Sequence, residues 1–257
     1  MTMLANIQRG KTPRPPRLLV YGTEGIGKST FAASAPGCIF IQTEDGLDEI
    51  NCARFPLAGR YEDVVVQLTE LQGSAEFQVT NIDSLDWLER LIWDRVCRDH
   101  GCKSIEDAGG GYARGYTFAL TYWREIIGLL DALRARDMVI TLIAHFKIEK
   151  FEDPDGAPYD RYAPRLNKHA LAIICEWCDA VLFATRKMRS QTSDAGFGRK
   201  RTVAVALGQD GGERILRCVP QPSCVAKNRY GLPSEIPLSW AALMAGVAKS
   251  QEETPNG

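Results

Sequence analysis

The chain has 257 residues, 45% of them hydrophobic, which is enough to bury a full core as one α/β domain. A net charge of −1 gives no global basic field for nucleic acid or a membrane, so any DNA contact must come from local patches. No apolar run approaches the ~18 residues of a membrane helix and the N-terminus has no signal-peptide core, which predicts a cytoplasmic protein.

Residues 1–16 carry Arg9, Lys11 and Arg14 among prolines and read as an extended basic arm. Leu18–Tyr21 is a short apolar strand that runs straight into Gly22-Thr23-Glu24-Gly25-Ile26-Gly27-Lys28-Ser29-Thr30. This stretch satisfies G-x-x-x-x-G-K-[ST] and stands where that motif must stand, between a strand and a helix. Its glycines let the backbone wrap a polyphosphate, Lys28 reaches the β/γ-phosphates, and the Ser29 hydroxyl can ligate Mg²⁺. The competing reading is an ordinary Gly-rich βα turn. A second strand, Cys38–Ile41, ends at Gln42-Thr43-Glu44-Asp45. A carboxylate there can polarise the water that attacks a γ-phosphate; Glu44 is favoured, with Asp45 and Asp48 as rivals.

Residues 61–72 place apolar side chains at helical spacing. The segment FQVTNIDS is a strand ending in Asp83-Ser84, although Thr80 and Asn81 stand where apolar residues are expected. Asp83 can hold the water shell of Mg²⁺ opposite Ser29. Either Asp83 or Ser84 can also cap the helix that follows. Residues 101–118 are Gly-rich and read as a loop, and a helix over about 118–135 leads into the strand Met138–Ala144. His145 ends that strand, where a polar group can sense the γ-phosphate or serve structure alone. A Pro-Asp-Gly turn follows, in a hairpin over 146–165, then a helix over 167–177 and a strand Ala180–Thr185. The last third reads as antiparallel strands, and residues 246–257 as a polar, disordered tail. Strand–helix alternation predicts a mainly parallel sheet with helices on both faces and ligands at its carboxyl ends. Of the two cysteine clusters, Cys97-x-x-His100-x-Cys102 lacks a nearby partner pair at ligand spacing and Cys175-x-x-Cys178 lies in an apolar helix-to-strand passage where buried thiols are common, which favours ordinary thiols over zinc.

Taken in order, IFIQTEDGLDEI, IDSLDWLERLIW, TLIAH, LNKHALAIICEWCDAVLFATRK and VAKNRYGLP resemble the RecA-like recombinase core. The likeness is nearer to its short phage and prophage relatives, ATP-binding proteins that include single-strand annealing ATPases. The resemblance covers most of residues 17–237 and implies a RecA-like P-loop NTPase core over 17–245, with antiparallel strands near the C-terminus. In that family the glutamate of E-x-x-L-D activates water, which matches Glu44. The polar residue after the fourth strand matches His145, where recombinases commonly have Asn-Gln. Basic residues of the K-x-[KR] element enter a neighbouring subunit's ATP site, which matches Lys227 and Arg229. By residues alone, Lys227-Asn228-Arg229 is a basic turn.

Two recombinase loops contact single-stranded DNA. They match residues 101–118, with Tyr112, Arg114 and Tyr116, and residues 146–165, with Lys147, Lys150 and Arg161 beside aromatic rings. The second loop also carries five acids, so a self-packed hairpin competes with the DNA reading. A basic run at Arg186-Lys187-Met188-Arg189 with Arg199-Lys200-Arg201 either flanks the DNA path or is a solvated turn. Catalysis is thus expected from Lys28, Glu44, His145, Lys227 and Arg229, with ATP and Mg²⁺. The expected partners are single-stranded DNA, further copies of the chain in a ring or filament built by the arm or core, and a single-strand-binding protein; the expected setting is a bacterial cytoplasm. The function implied is an ATPase of phage-type recombination that promotes annealing. The alternatives are a helicase or helicase loader, or a nucleotide-gated binder with little turnover.

Overall fold

The first strand, β1 (Arg17–Gly22), enters the middle of the sheet and delivers the chain into α1 (Lys28–Ala33) through the glycine loop. Then come β2 (Cys38–Gln42), the short β3 (Ala53–Arg54), α2 (Tyr61–Leu71), β4 (Val79–Asp83) and α3 (Leu85–His100). α4 (Arg114–Arg134) leads to β5 (Val139–Phe151), β6 (Tyr159–Pro164), α5 (Lys168–Trp177) and β7 (Ala180–Arg186). A separate hairpin of β8 (Met188–Asp194) and β9 (Lys200–Ala206) precedes β10 (Arg214–Arg217), β11 (Lys227–Asn228), β12 (Glu235–Pro237) and α6 (Trp240–Glu252). This computed structural model describes residues 4, 7, 10–194, 200–206 and 212–252, with 189–194 and 200–206 described by backbone alone.

The sheet runs β12-β10-β7-β1-β5-β4-β2-β3, parallel from β7 to β3 and antiparallel at β10 and β12. That is the mainly parallel, helix-flanked core predicted from the sequence. Strand alternation divides its core. Leu18 and Val20 face one side, where Phe31 of α1 and Trp240, Leu243 and Val247 of α6 cover them. Leu19 and Tyr21 face the other, under α2 to α5. β4 keeps its place despite Thr80 and Asn81, which are fully buried between β2 and β5.

Two expected boundaries are corrected. The tail expected over 246–257 is helical through residue 252. Trp240, Leu243 and Val247 make a buried stripe, and Trp240 packs on Phe31 with ring centroids 5.7 Å apart. Small residues between those three hide the stripe in the sequence; residues 253–257 lie outside the described part. The loop expected over 101–118 ends at Ala113, because α4 starts at Arg114. Gly115 is a packing residue of that helix: a Cβ there would stand 1.9 Å from the Ile105 carbonyl oxygen. A glycine that reads as loop composition is a point of close backbone approach.

Candidate nucleotide site

Parallel register brings four strand ends together. Gly22 of β1 pairs with His145 of β5, Asp83 of β4 with Ile143 of β5, and Gln42 of β2 with Asp83. The residues just beyond these ends therefore surround one cavity of about 440 Å³. The loop takes its shape from Gly25 (φ 69°) and Gly27 (φ 100°), left-handed positions that favour glycine. Ile26, 1% exposed, anchors the loop in the core below. Glu24, Gly25, Gly27, Lys28, Ser29 and Thr30 line the cavity. Gly22 sits behind them, where a Cβ would meet the Ala184 carbonyl oxygen at 2.1 Å, and Thr23 contributes its carbonyl to Lys28.

Lys28 is buried, and its Nζ donates to the carbonyls of Gly22 and Thr23, each at 3.1 Å. Burial lowers its pKa, against the pull of Asp83, Glu24, Asp86 and Glu44. The Ser29 hydroxyl donates to Asp83 Oδ2 at 2.5 Å, so the two oxygens expected to share a metal already face each other. Burial raises the Asp83 pKa, and the nearby Glu44 carboxylate adds to the rise. A hard divalent cation is suited to this oxygen pair.

Of the three rival carboxylates, Glu44 lines the cavity. Asp45 is exposed, and Asp48 turns away to pair with Arg54 at 2.9 Å. Ser84 does not cap α3 with its side chain; its hydroxyl donates to Glu44 Oε2 at 3.0 Å. His145 Nδ1 lies 3.8 Å from the same oxygen. Behind His145 stands Asp86, which accepts from the His145 backbone N–H at 3.0 Å and lies 3.1 Å from Nδ1 through each of its oxygens. That bonding raises the His145 pKa despite burial. Against the cost of its own burial, the bonds from His145 and Arg165 hold Asp86 well below the usual carboxylate range. Sequence reasoning missed Asp86 and Arg165. Asp86 stands three residues after Asp83, in the first turn of α3, which was a usable signal, whereas Arg165 comes from beyond the hairpin and left none. Also missed is Arg214 of β10, whose Nη1 donates to the Ile26 carbonyl at 3.4 Å and braces the loop.

Lys227 and Arg229 are not brought to this cavity. β11 pairs with the start of β7 at Val181 and Ala180, the opposite end of the sheet. Five residue steps of β1 separate the two ends, roughly 17 Å. Lys227 Nζ donates to the carbonyls of Cys175 and Glu176 at 2.8 and 2.7 Å, satisfying the last turn of α5. Arg229 Nη1 pairs with Asp179 at 3.0 Å and keeps a side chain 51% exposed.

The DNA candidates divide as well. Tyr112 is 95% exposed on a run of five positive-φ residues, Gly109 to Ala113. Arg114 and Tyr116 belong to α4, Arg114 bonding the Gly109 carbonyl and Tyr116 packing edge-on against Trp93. β5 and β6 form the expected hairpin, and its cations are paired within it. Arg161 bonds Glu149 and lies over Phe151, Lys147 lies 3.6 Å from Glu149, and Lys150 lies 3.0 Å from Glu152. In the further basic run, Lys187 faces Glu213 and Glu235 at 4.0 Å, Arg199 lies outside the described residues, and Arg189, Lys200 and Arg201 are described by backbone alone.

A mainly parallel sheet with a glycine loop, a buried lysine and a Ser–Asp pair at its carboxyl end defines a P-loop NTPase core. The chain belongs to the AAA domain family, whose model matches residues 14–230. It is also similar to the light-independent protochlorophyllide reductase iron-sulfur ATP-binding protein of Pelodictyon phaeoclathratiforme (strain DSM 5477 / BU-1), with 27% identity over 118 residues. That match covers 44% of this chain, and the chain spans 41% of the relative's length. Among the described residues no helix is long and apolar enough to cross a membrane.

Proposed function

We propose that this ATPase hydrolyses ATP with Mg²⁺ to drive a step on single-stranded DNA, of the kind that phage-type annealing and recombination require. The observation that carries the hydrolytic part is Glu44, held at the cavity by Ser84 and His145 opposite the Ser29–Asp83 pair. Ser29 and Asp83 would hold Mg²⁺, which when bound supplies charge neutralisation on the phosphates. Lys28 binds and orients the β/γ-phosphates. Glu44 takes the proton of the attacking water as general base. His145, its pKa raised by the bonds to Asp86, steadies Glu44 at the wall of the cavity.

The DNA part is supported by Tyr112, an exposed aromatic ring on a glycine loop, and by the long hairpin that continues β5 directly from His145. An aromatic face can stack a base, and the hairpin gives nucleotide state a direct covalent route to a surface element. The resemblance that suggests annealing also suggests assembly, with Arg229 of one copy completing a neighbour's site. The half-exposed Arg229 guanidinium at the amino end of the sheet supports that reading, because the cavity it would serve lies at the carboxyl end of the next copy. ATP turnover measured with and without single-stranded oligonucleotide tests the proposal. Stimulation is expected; turnover indifferent to DNA over a range of salt would refute the DNA reading and leave the ATPase.

A further inference from the structure

The amino end of the sheet holds a second cavity, of about 330 Å³, between the N-terminal arm and Asp179. Among the described residues that line it, four are cations, Lys11, Arg14, Arg134 and Arg229, and one is a carboxylate, Asp179. Asp179 is already fully engaged. Arg17 bonds it through its backbone N–H, Nε and Nη2, Arg134 bonds it at 3.2 Å and Arg229 at 3.0 Å. Asp131 lies 3.6 Å from Arg17, accepts from Trp177 Nε1 at 3.0 Å and does not line the cavity. Burial lowers the Arg134 pKa, and the like charges of Arg17 and Arg14 lower it further. The arm is placed by Lys11 Nζ on the Ser250 carbonyl at 2.7 Å and by Gln251 Nε2 on the Arg14 carbonyl at 3.1 Å. Arg14 therefore stands at the rim with its position set by backbone contacts while its side chain stays exposed.

We propose that this cavity is a second anion site, remote from the ATP cavity, and that it takes a phosphate group. Guanidinium forks match the geometry of phosphate oxygens, and Tyr230 gives the wall a further polar tip. All four cations come from one copy of the chain, so the site needs neither assembly nor the in-trans role of Arg229. Two sources offer the same chemistry, a free phosphate and the phosphodiester backbone of a nucleic acid.

The test uses the full chain carrying Lys28→Ala, which cripples the ATP cavity, with and without Arg14→Glu. Calorimetric titration with inorganic phosphate, and separately with a single-stranded oligodeoxynucleotide lacking terminal phosphates, reads the two sources. At least one probe should bind at low salt, weaken as salt rises, and lose about tenfold or more in affinity with Arg14→Glu. Phosphate binding identifies a free-phosphate site; oligonucleotide binding alone identifies a backbone site. Because Arg14 is exposed, the thermal midpoint should not move. The proposal is overturned if neither probe binds below roughly 10 mM, or if Arg14→Glu leaves every affinity within about twofold.

Discussion

The two ends of one sheet use charge in opposite ways. At the carboxyl end the acids Asp83, Glu44 and Asp86 surround the buried Lys28, and their side chains face or back a cavity. At the amino end three guanidiniums close on Asp179, and Lys227 closes the last turn of α5. The first arrangement leaves an oxygen-rich wall for a cation and a polyphosphate. The second locks β1, α4, α5 and the segment after β11 to one another and, among the described residues, lines a cavity with more cations than carboxylates. A basic turn in the sequence can thus be a clamp within its own chain, and its exposed remainder is what it has to offer elsewhere.

The comparison breaks most sharply at Asp179. Asp179→Ala leaves three guanidiniums without their carboxylate and should cost about 3–5 kcal/mol of stability in denaturant unfolding, with ATP affinity unchanged in the folded fraction. Lys28→Ala should do the reverse. Its Nζ bonds only carbonyls of the loop, so unfolding should be little changed while turnover falls about 10²–10³-fold. If Lys28→Ala unfolds the chain and Asp179→Ala does not, the two ends have been assigned the wrong way round.

A subtler probe lies between the ends. Glu89 accepts from the Asn167 backbone N–H at 2.9 and 3.1 Å, and burial pushes its pKa up to about 7. A raised carboxyl pKa contributes stability below the unfolded value near 4.5 and loses it as pH rises through about 7. Glu89→Gln keeps an oxygen for Asn167 and removes the charge. It should flatten the stability curve between those pH values, a change on the order of 3 kcal/mol. His145 has a raised pKa too, so its contribution is complete below about 6.5 and is lost as pH rises through its higher folded value; the variant should retain that slope. Smallest of all, Tyr112→Ala should leave fold and basal turnover alone and weaken single-stranded DNA binding by about 1–3 kcal/mol, read by fluorescence anisotropy.

The phosphate loop was legible because its chemistry is local: Gly25, Gly27, Lys28 and Ser29 are fixed by neighbours a few residues away. Asp83 and Glu44 were legible because strand ends in a parallel sheet meet, whatever their distance in sequence. What escaped depends on pairs made by folding. Arg165 reaches Asp86 from 79 residues away, and Arg17 reaches Asp179 from 162. Gly115 and α6 were misread because small residues carry either flexibility or tight packing, and composition alone does not separate the two.

The proposed function places ATP hydrolysis in the carboxyl-end cavity, through Glu44. Its most direct test is Glu44→Gln, with ATP affinity and turnover measured on the same preparation. The amide keeps the side-chain volume and an acceptor for Ser84 but cannot take a proton from water. ATP should still bind, with turnover reduced about 10²–10⁴-fold. Wild-type turnover in Glu44→Gln, above all with turnover lost in Asp45→Asn or Asp48→Asn, would contradict the claim.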